Sequence, residues 1–243
     1  MRINTVRARF HFIAASCLLA ACATTPSTDG KMRITPEEAA ARFQAAKCCL
    51  SLAQIAPSPL EAERWLPSTD GQPLLASPAG KGFYAAFVLP DDDKTSHFRV
   101  ESFVSRAGDT AAQVVVPLVL ILNADFSISR ASSQSMLSYL PENRFYSERE
   151  SLYLFARVDR KLKPSEKYIV VTTFERLLGQ ELTFTAISGG DIMVIPLGKT
   201  VATSQSPIAQ RGVALRSLPI GEVRLRYLAS KWDQPAYERS IKF

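Results

Sequence analysis

The chain has 243 residues, with 29 Lys and Arg against 23 Asp and Glu and a formal net charge of +6. Loss of Arg2, Arg7 and Arg9 with a 21-residue signal takes the charge to +3 and leaves 222 residues, enough for one large β domain or one domain with a small addition. So mild a balance argues against a nucleic-acid partner. Its basic residues are scattered, and in Arg157-Val158-Asp159-Arg160-Lys161 a carboxylate interrupts the run.

Residues 1–21 read as a signal peptide, with three arginines ahead of an apolar stretch from Phe12 to Ala21 that is too short to span a bilayer. Leu19-Ala20-Ala21-Cys22 closes that stretch and resembles a lipobox. The resemblance implies diacylglycerol on the Cys22 sulfur, cleavage before Cys22, and acylation, as by palmitate, of the new N-terminus. Each buried methylene adds about 0.8 kcal/mol, so several acyl chains hold a protein durably to its membrane. Ala23 stands where, by resemblance to lipoprotein sorting, an Asp retains a protein in the inner membrane. The expectation is therefore an outer-membrane, lipid-anchored protein facing the periplasm.

Residues 22–34 are small and polar and read as a lipidated, flexible tether. Thr35-Pro36-Glu37-Glu38 then opens a helix, with Thr35 as N-cap, Pro36 at N1 and Glu38 completing a capping box. Ala39, Ala40, Phe43 and Ala46 form its apolar stripe up to about Lys47, and a Pro-rich extension follows to residue 74. Residues 75–187 carry strand patterns at about 82–89, 97–105, 113–122, 151–159, 167–173 and 181–187, and a C-terminal extension over 188–243 adds late strands near 191–196 and 222–228. Asp91-Asp92-Asp93, Asn123-Ala124-Asp125 and Lys163-Pro164-Ser165 supply turn chemistry between them. Residues 114–122 are apolar on both faces, which predicts a central strand with Pro117 at a bulge or an end. Ser147-Glu148-Arg149-Glu150 could cap a helix, but Leu152, Leu154, Ala156 and Val158 alternate with Tyr153, Phe155 and Arg157, which predicts a strand. The fold class is mainly β, an antiparallel, jelly-roll-like β-sandwich with one short N-terminal helix.

Three core-strand segments carry a family resemblance: Phe83 to Pro90, Pro117 to Asp125 and Lys167 to Phe174. In order and spacing they resemble the maltose-operon periplasmic protein (MalM) family. The resemblance extends from Leu60 to Leu182, and more faintly over Gly221 to Leu228. It implies a periplasmic β-sandwich associated with carbohydrate uptake. It brings no site residues with it, and the lipobox and the Cys48-Cys49 pair are departures from it.

After the signal, His97 is the one histidine left, and no Gly-x-Ser-x-Gly elbow is present. No catalytic residue, metal site or cofactor is expected, and His97 reads as an edge residue. Asp91 to Asp93 lack the ligand pattern of a calcium loop. Glu148 and Glu150 become a glycosidase pair only if a carboxylate opposes them across a cleft. Cys48 and Cys49 either bridge each other through a strained ring or remain two thiols, since neighbouring Cα atoms lie about 3.8 Å apart across a trans peptide, below the disulfide range. Sugar stacking needs flat aromatic faces beside planar polar groups. Tyr139, Arg144, Phe145 and Tyr146 offer these in a segment over 129–150 of weak strand pattern. Phe103, Phe126 and Phe155 read as core. Two functions follow: a non-enzymatic accessory to carbohydrate uptake that binds a glycan or a transport component, or an envelope assembly factor that binds a protein or cell-wall partner. In both, the N-terminal lipid makes the membrane a partner.

Overall fold

The computed structural model describes residues 35–66, 73–91, 95–106, 111–142, 149–188, 192–197, 200–205 and 209–228. The signal, Cys22, the segment with Arg144, Phe145 and Tyr146, Glu148, and Asp92 with Asp93 lie outside them. One helix, α1 (Pro36–Ala45), stops two residues short of the predicted end. The Thr35 hydroxyl accepts from the Glu38 N–H at 3.1 Å and so caps the helix. Ala39 packs with Leu218 and Ile220, and Phe43 meets the edge of Phe83 at 5.9 Å between ring centres, which docks α1 on the body.

The strands in chain order are β1 (Ser58–Pro59), β2 (Glu63–Leu66), β3 (Leu75–Ser77), β4 (Gly80–Gly82), β5 (Ala85–Val88), β6 (Thr95–Phe103), β7 (Gln113–Val115), β8 (Pro117–Asn123) and β9 (Ile128–Ala131). They continue with β10 (Ser138–Leu140), β11 (Ser151–Asp159), β12 (Glu166–Thr173), β13 (Glu181–Ser188), β14 (Ile192–Leu197), β15 (Thr200–Gln205), β16 (Ala209–Leu218) and β17 (Val223–Leu228). Two five-stranded sheets have the orders β1-β5-β12-β8-β9 and β10-β11-β6-β17-β2, and a three-stranded sheet has the order β13-β16-β7. β14 with β15 and β3 with β4 form hairpins. Pairing is antiparallel except for β1 with β5 and β7 with β16. Phe87, Ile169 and Ile121 of the first sheet share one core cluster with Phe98, Val100, Leu152, Leu154 and Leu225 of the second, so the fold is the expected mainly-β sandwich with one helix.

β11 has the predicted bounds, because its alternation puts Leu152, Leu154 and Val158 inside while Arg157 stays in water. The apolar run at 114–122 is two strands instead of one. Pro117 has no N–H for a ladder, and the chain changes sheets at Val116: β7 pairs with β16 and β8 with β12 and β9. His97 is not on an edge, since β6 lies between β11 and β17 and His97 faces Arg157 and Leu228 across them. Phe126 is not on a strand. It occupies the β8–β9 turn with φ 64° and is half-buried. Phe103 is buried, whereas Phe155 is half-buried, in register with Arg99 and close to its guanidinium.

Candidate functional site

β6, β11 and β17 lie side by side, and residues two apart on a strand share a face. Arg99, Glu101 and Phe103 therefore line up along β6, with Phe155 and Tyr153 beside them on β11 and Arg226 and Arg224 on β17. Charges alternate across this row. Arg99 Nη2 lies 2.7 Å from Glu101 Oε1, and Arg224 Nη2 lies 2.7 Å from Glu101 Oε2. Glu63 on β2 lies 3.7 Å from Arg224 and 3.5 Å from Arg226. The Arg99 guanidinium sits 5.1 Å from the centre of the Tyr153 ring, and Phe103 has guanidinium groups at 4.5 Å (Arg149) and 5.0 Å (Arg224). Arg149 is also ion-paired with Glu222.

At the end of this row the chain enters β11 through Glu150. Its carboxylate accepts from Arg106 Nε at 3.0 Å and from Nη2 at 2.8 Å, a fork of charge-assisted bonds, and also from the Tyr139 hydroxyl. The Glu150 carbonyl accepts from the Val104 N–H at 2.9 Å. The Arg106 side chain is 54% exposed and that of Glu150 is 21%, so the pair faces outward. The described residues on either side of 143–148 are thereby fixed: Tyr139 by β10 and Glu150 by β6 and Arg106. Glu150, Glu101 and Glu222 each lie against an arginine, which makes this end an array of planar charged and aromatic groups.

Of the residues expected from the sequence to bind a ligand, Tyr139 is buried, 8% exposed, with its hydroxyl on Glu150. Cys48 and Cys49 are bonded to each other across a cis peptide, with Cα atoms 3.1 Å apart, beside the Lys47 carbonyl and Leu50 N–H that hold this segment on Leu74. Arg106 and the β6 row were not expected, and Arg149 was expected only as a polar neighbour of the aromatic segment. Their partners lie 44 or more residues away for Arg106 with Glu150 and for Arg149 with Glu222, and only alternation along β6 hints at them. Among the described residues, no group of three or more His, Cys, Asp and Glu gathers to hold a metal ion.

Fold and site together define a β-sandwich with a largely buried, ion-paired row of arginine, glutamate and aromatic side chains across β6, β11 and β17. Residues 79–190 match the family model described as maltose operon periplasmic protein precursor (MalM). The matched span contains Arg99, Glu101, Arg106, Tyr139 and Glu150. No curated protein and no solved structure matches the chain.

Proposed function

We propose that this protein is a non-enzymatic accessory of carbohydrate uptake that binds a glycan, and that its N-terminal lipid on Cys22 holds it to the outer membrane facing the periplasm. The observation that carries the glycan reading is the Glu150–Arg106–Tyr139 cluster. It fixes the chain on both sides of 143–148, the segment that supplies Arg144, Phe145 and Tyr146. A polyol ligand is held by flat apolar faces and a few well-placed planar polar groups, and these residue types provide both. The match to a maltose-operon family model supports a maltodextrin as the first ligand to test. Carboxylates already tied to arginines support binding over general acid–base work, which needs a carboxyl free to exchange its proton.

Calorimetric titration with a maltodextrin series, and with unrelated glycans as controls, tests the reading. Saturable binding that strengthens with chain length and weakens in Tyr146→Ala is expected. No heat with any glycan from the folded protein overturns the reading in favour of an envelope partner, to be sought by crosslinking in whole cells. Cys22→Ser is expected to release the protein from membranes washed with salt and carbonate; unchanged association sinks the anchor.

A further inference from the structure

The β8–β9 turn stands at the far end of β11 from Glu150, beside the turn that joins β11 to β12. Its third residue is Phe126, with φ 64°, the left-handed region that bulky side chains rarely enter and that Gly or Asn would fill without difficulty. Strained residues of this kind persist where their surroundings hold them, and they gather at ligand-binding positions. Here the holding is explicit. The Phe126 N–H donates to the Asn123 carbonyl at 3.0 Å, and the Asn123 N–H to the Ser127 carbonyl at 2.9 Å. Asp125 Oδ1 accepts from the Ser127 N–H at 3.0 Å and from its hydroxyl at 2.6 Å. Asn123 Nδ2 donates to Ser127 Oγ at 2.9 Å, while Asn123 Oδ1 accepts from the Ser165 hydroxyl at 2.9 Å, tying the two turns together.

The frame presents an aromatic ring. Phe126 lies parallel to Tyr168, with ring centres 4.7 Å apart and planes 7° from parallel, and both rings are half-buried, so part of the stack meets water. Asp125 and Ser127 beside it are exposed, with the Asp125 carboxylate held by Ser127 through Oδ1. The neighbouring turn exposes Leu162 at 77%. A flat apolar surface beside an acceptor held in place is the composition that receives the C–H face of a sugar ring while the acceptor takes its hydroxyls.

We infer that this turn is a stacking subsite for a pyranose ring of a neutral glycan, with Phe126 as the platform and Asp125 as the hydroxyl acceptor. The inference rests on the glycan-binding reading and adds a second site, at the opposite end of β11. The full chain is titrated with maltodextrins as wild type, Phe126→Gly, Asp125→Asn and Tyr146→Ala, while the ring proton signals of Tyr168 are followed by NMR. Gly suits φ 64°, so the turn is expected to survive the loss of the ring.

The expected result is wild-type binding that weakens about tenfold in Phe126→Gly and in Asp125→Asn, as for loss of a binding anchor, with the Tyr168 signals moving on titration of the wild type. Wild-type binding that Phe126→Gly leaves intact overturns the subsite and leaves the glycan reading standing. Absence of wild-type binding overturns both. If Phe126→Gly fails to fold, Asp125→Asn and the Tyr168 signals decide, and Tyr168 signals that stay still at saturation overturn the subsite.

Discussion

The ion pair between Arg130 and Glu166 gives the sharpest stability prediction. Glu166 is fully buried at the start of β12, where a bulge between Glu166 and Tyr168 shifts its register against β8. Arg130 reaches across β8 from β9: its Nε donates to Glu166 Oε1 and its Nη2 to Oε2, both at 2.8 Å, and Nη2 also donates to the Arg157 carbonyl at 2.8 Å. Since Arg157 belongs to β11, this one guanidinium ties the two five-stranded sheets together. The Ser129 hydroxyl donates to Glu166 at 2.7 Å, and Lys163 Nζ stands 3.9 Å away.

The two partners are unequal, because the Arg130 side chain is 38% exposed and that of Glu166 is 0% exposed. Arg130→Met removes three charge-assisted bonds, two to Glu166 and one to the Arg157 carbonyl, and leaves the buried carboxylate with the Ser129 hydroxyl and Lys163; breaking such a pair costs about 3–5 kcal/mol. Glu166→Leu strands a guanidinium that can turn outward, so its cost should be about 1–3 kcal/mol, the range for one unsatisfied group. The double variant, with an apolar pair in place of the ions, should be more stable than Arg130→Met alone. Urea unfolding followed by circular dichroism measures all three against wild type. Arg130→Met costing less than Glu166→Leu, or a double variant less stable than Arg130→Met, would refute the reasoning from burial.

Gly80 closes the β3–β4 hairpin at φ 100°, where a Cβ would lie 2.4 Å from Glu175 Oε2, the same oxygen that accepts from the Lys81 N–H at 2.7 Å. A Gly-to-Ala change at a compatible backbone stabilises by about 0.4–1 kcal/mol, whereas Gly80→Ala should destabilise by more than about 1 kcal/mol, and a melting temperature equal to wild type contradicts it. The Ser127 hydroxyl, and then its N–H, hold the Asp125 carboxyl below its ordinary value of 3.8, so the stability it lends is complete above that value and is lost as pH falls below it. Its NMR titration midpoint should lie below 3.8 and rise in Ser127→Ala; a midpoint unmoved by the substitution removes the cause assigned here.

Local pattern carried much of the architecture. Thr35 and Pro36 announced α1 because a cap and a fixed φ are properties of neighbouring residues, and the period-two run at 151–159 announced β11. β9 and β10 were lost inside the segment 129–150 because strands of four and three residues are too short to show a period. β2 and β17, from opposite ends of the described chain, lie side by side in one sheet, a pairing that no window of sequence contains. The candidate site divides in the same way. Tyr139 and the aromatic segment after it could be read, but the hold of Tyr139 on Glu150, and the row through Arg99, Glu101, Phe103 and Arg224, exist only once distant strands are neighbours.

By itself, the sequence determined the strand-rich class, the capped helix and the MalM resemblance, since each is written in residues close along the chain. Only the tertiary structure decided that Pro117 moves the chain between sheets, that Tyr139 is buried, that Glu166 is sealed under Arg130, and that Phe126 is held at φ 64° against Tyr168. Burial, ion pairing and a left-handed backbone are each imposed by groups distant in sequence, and no local propensity records them.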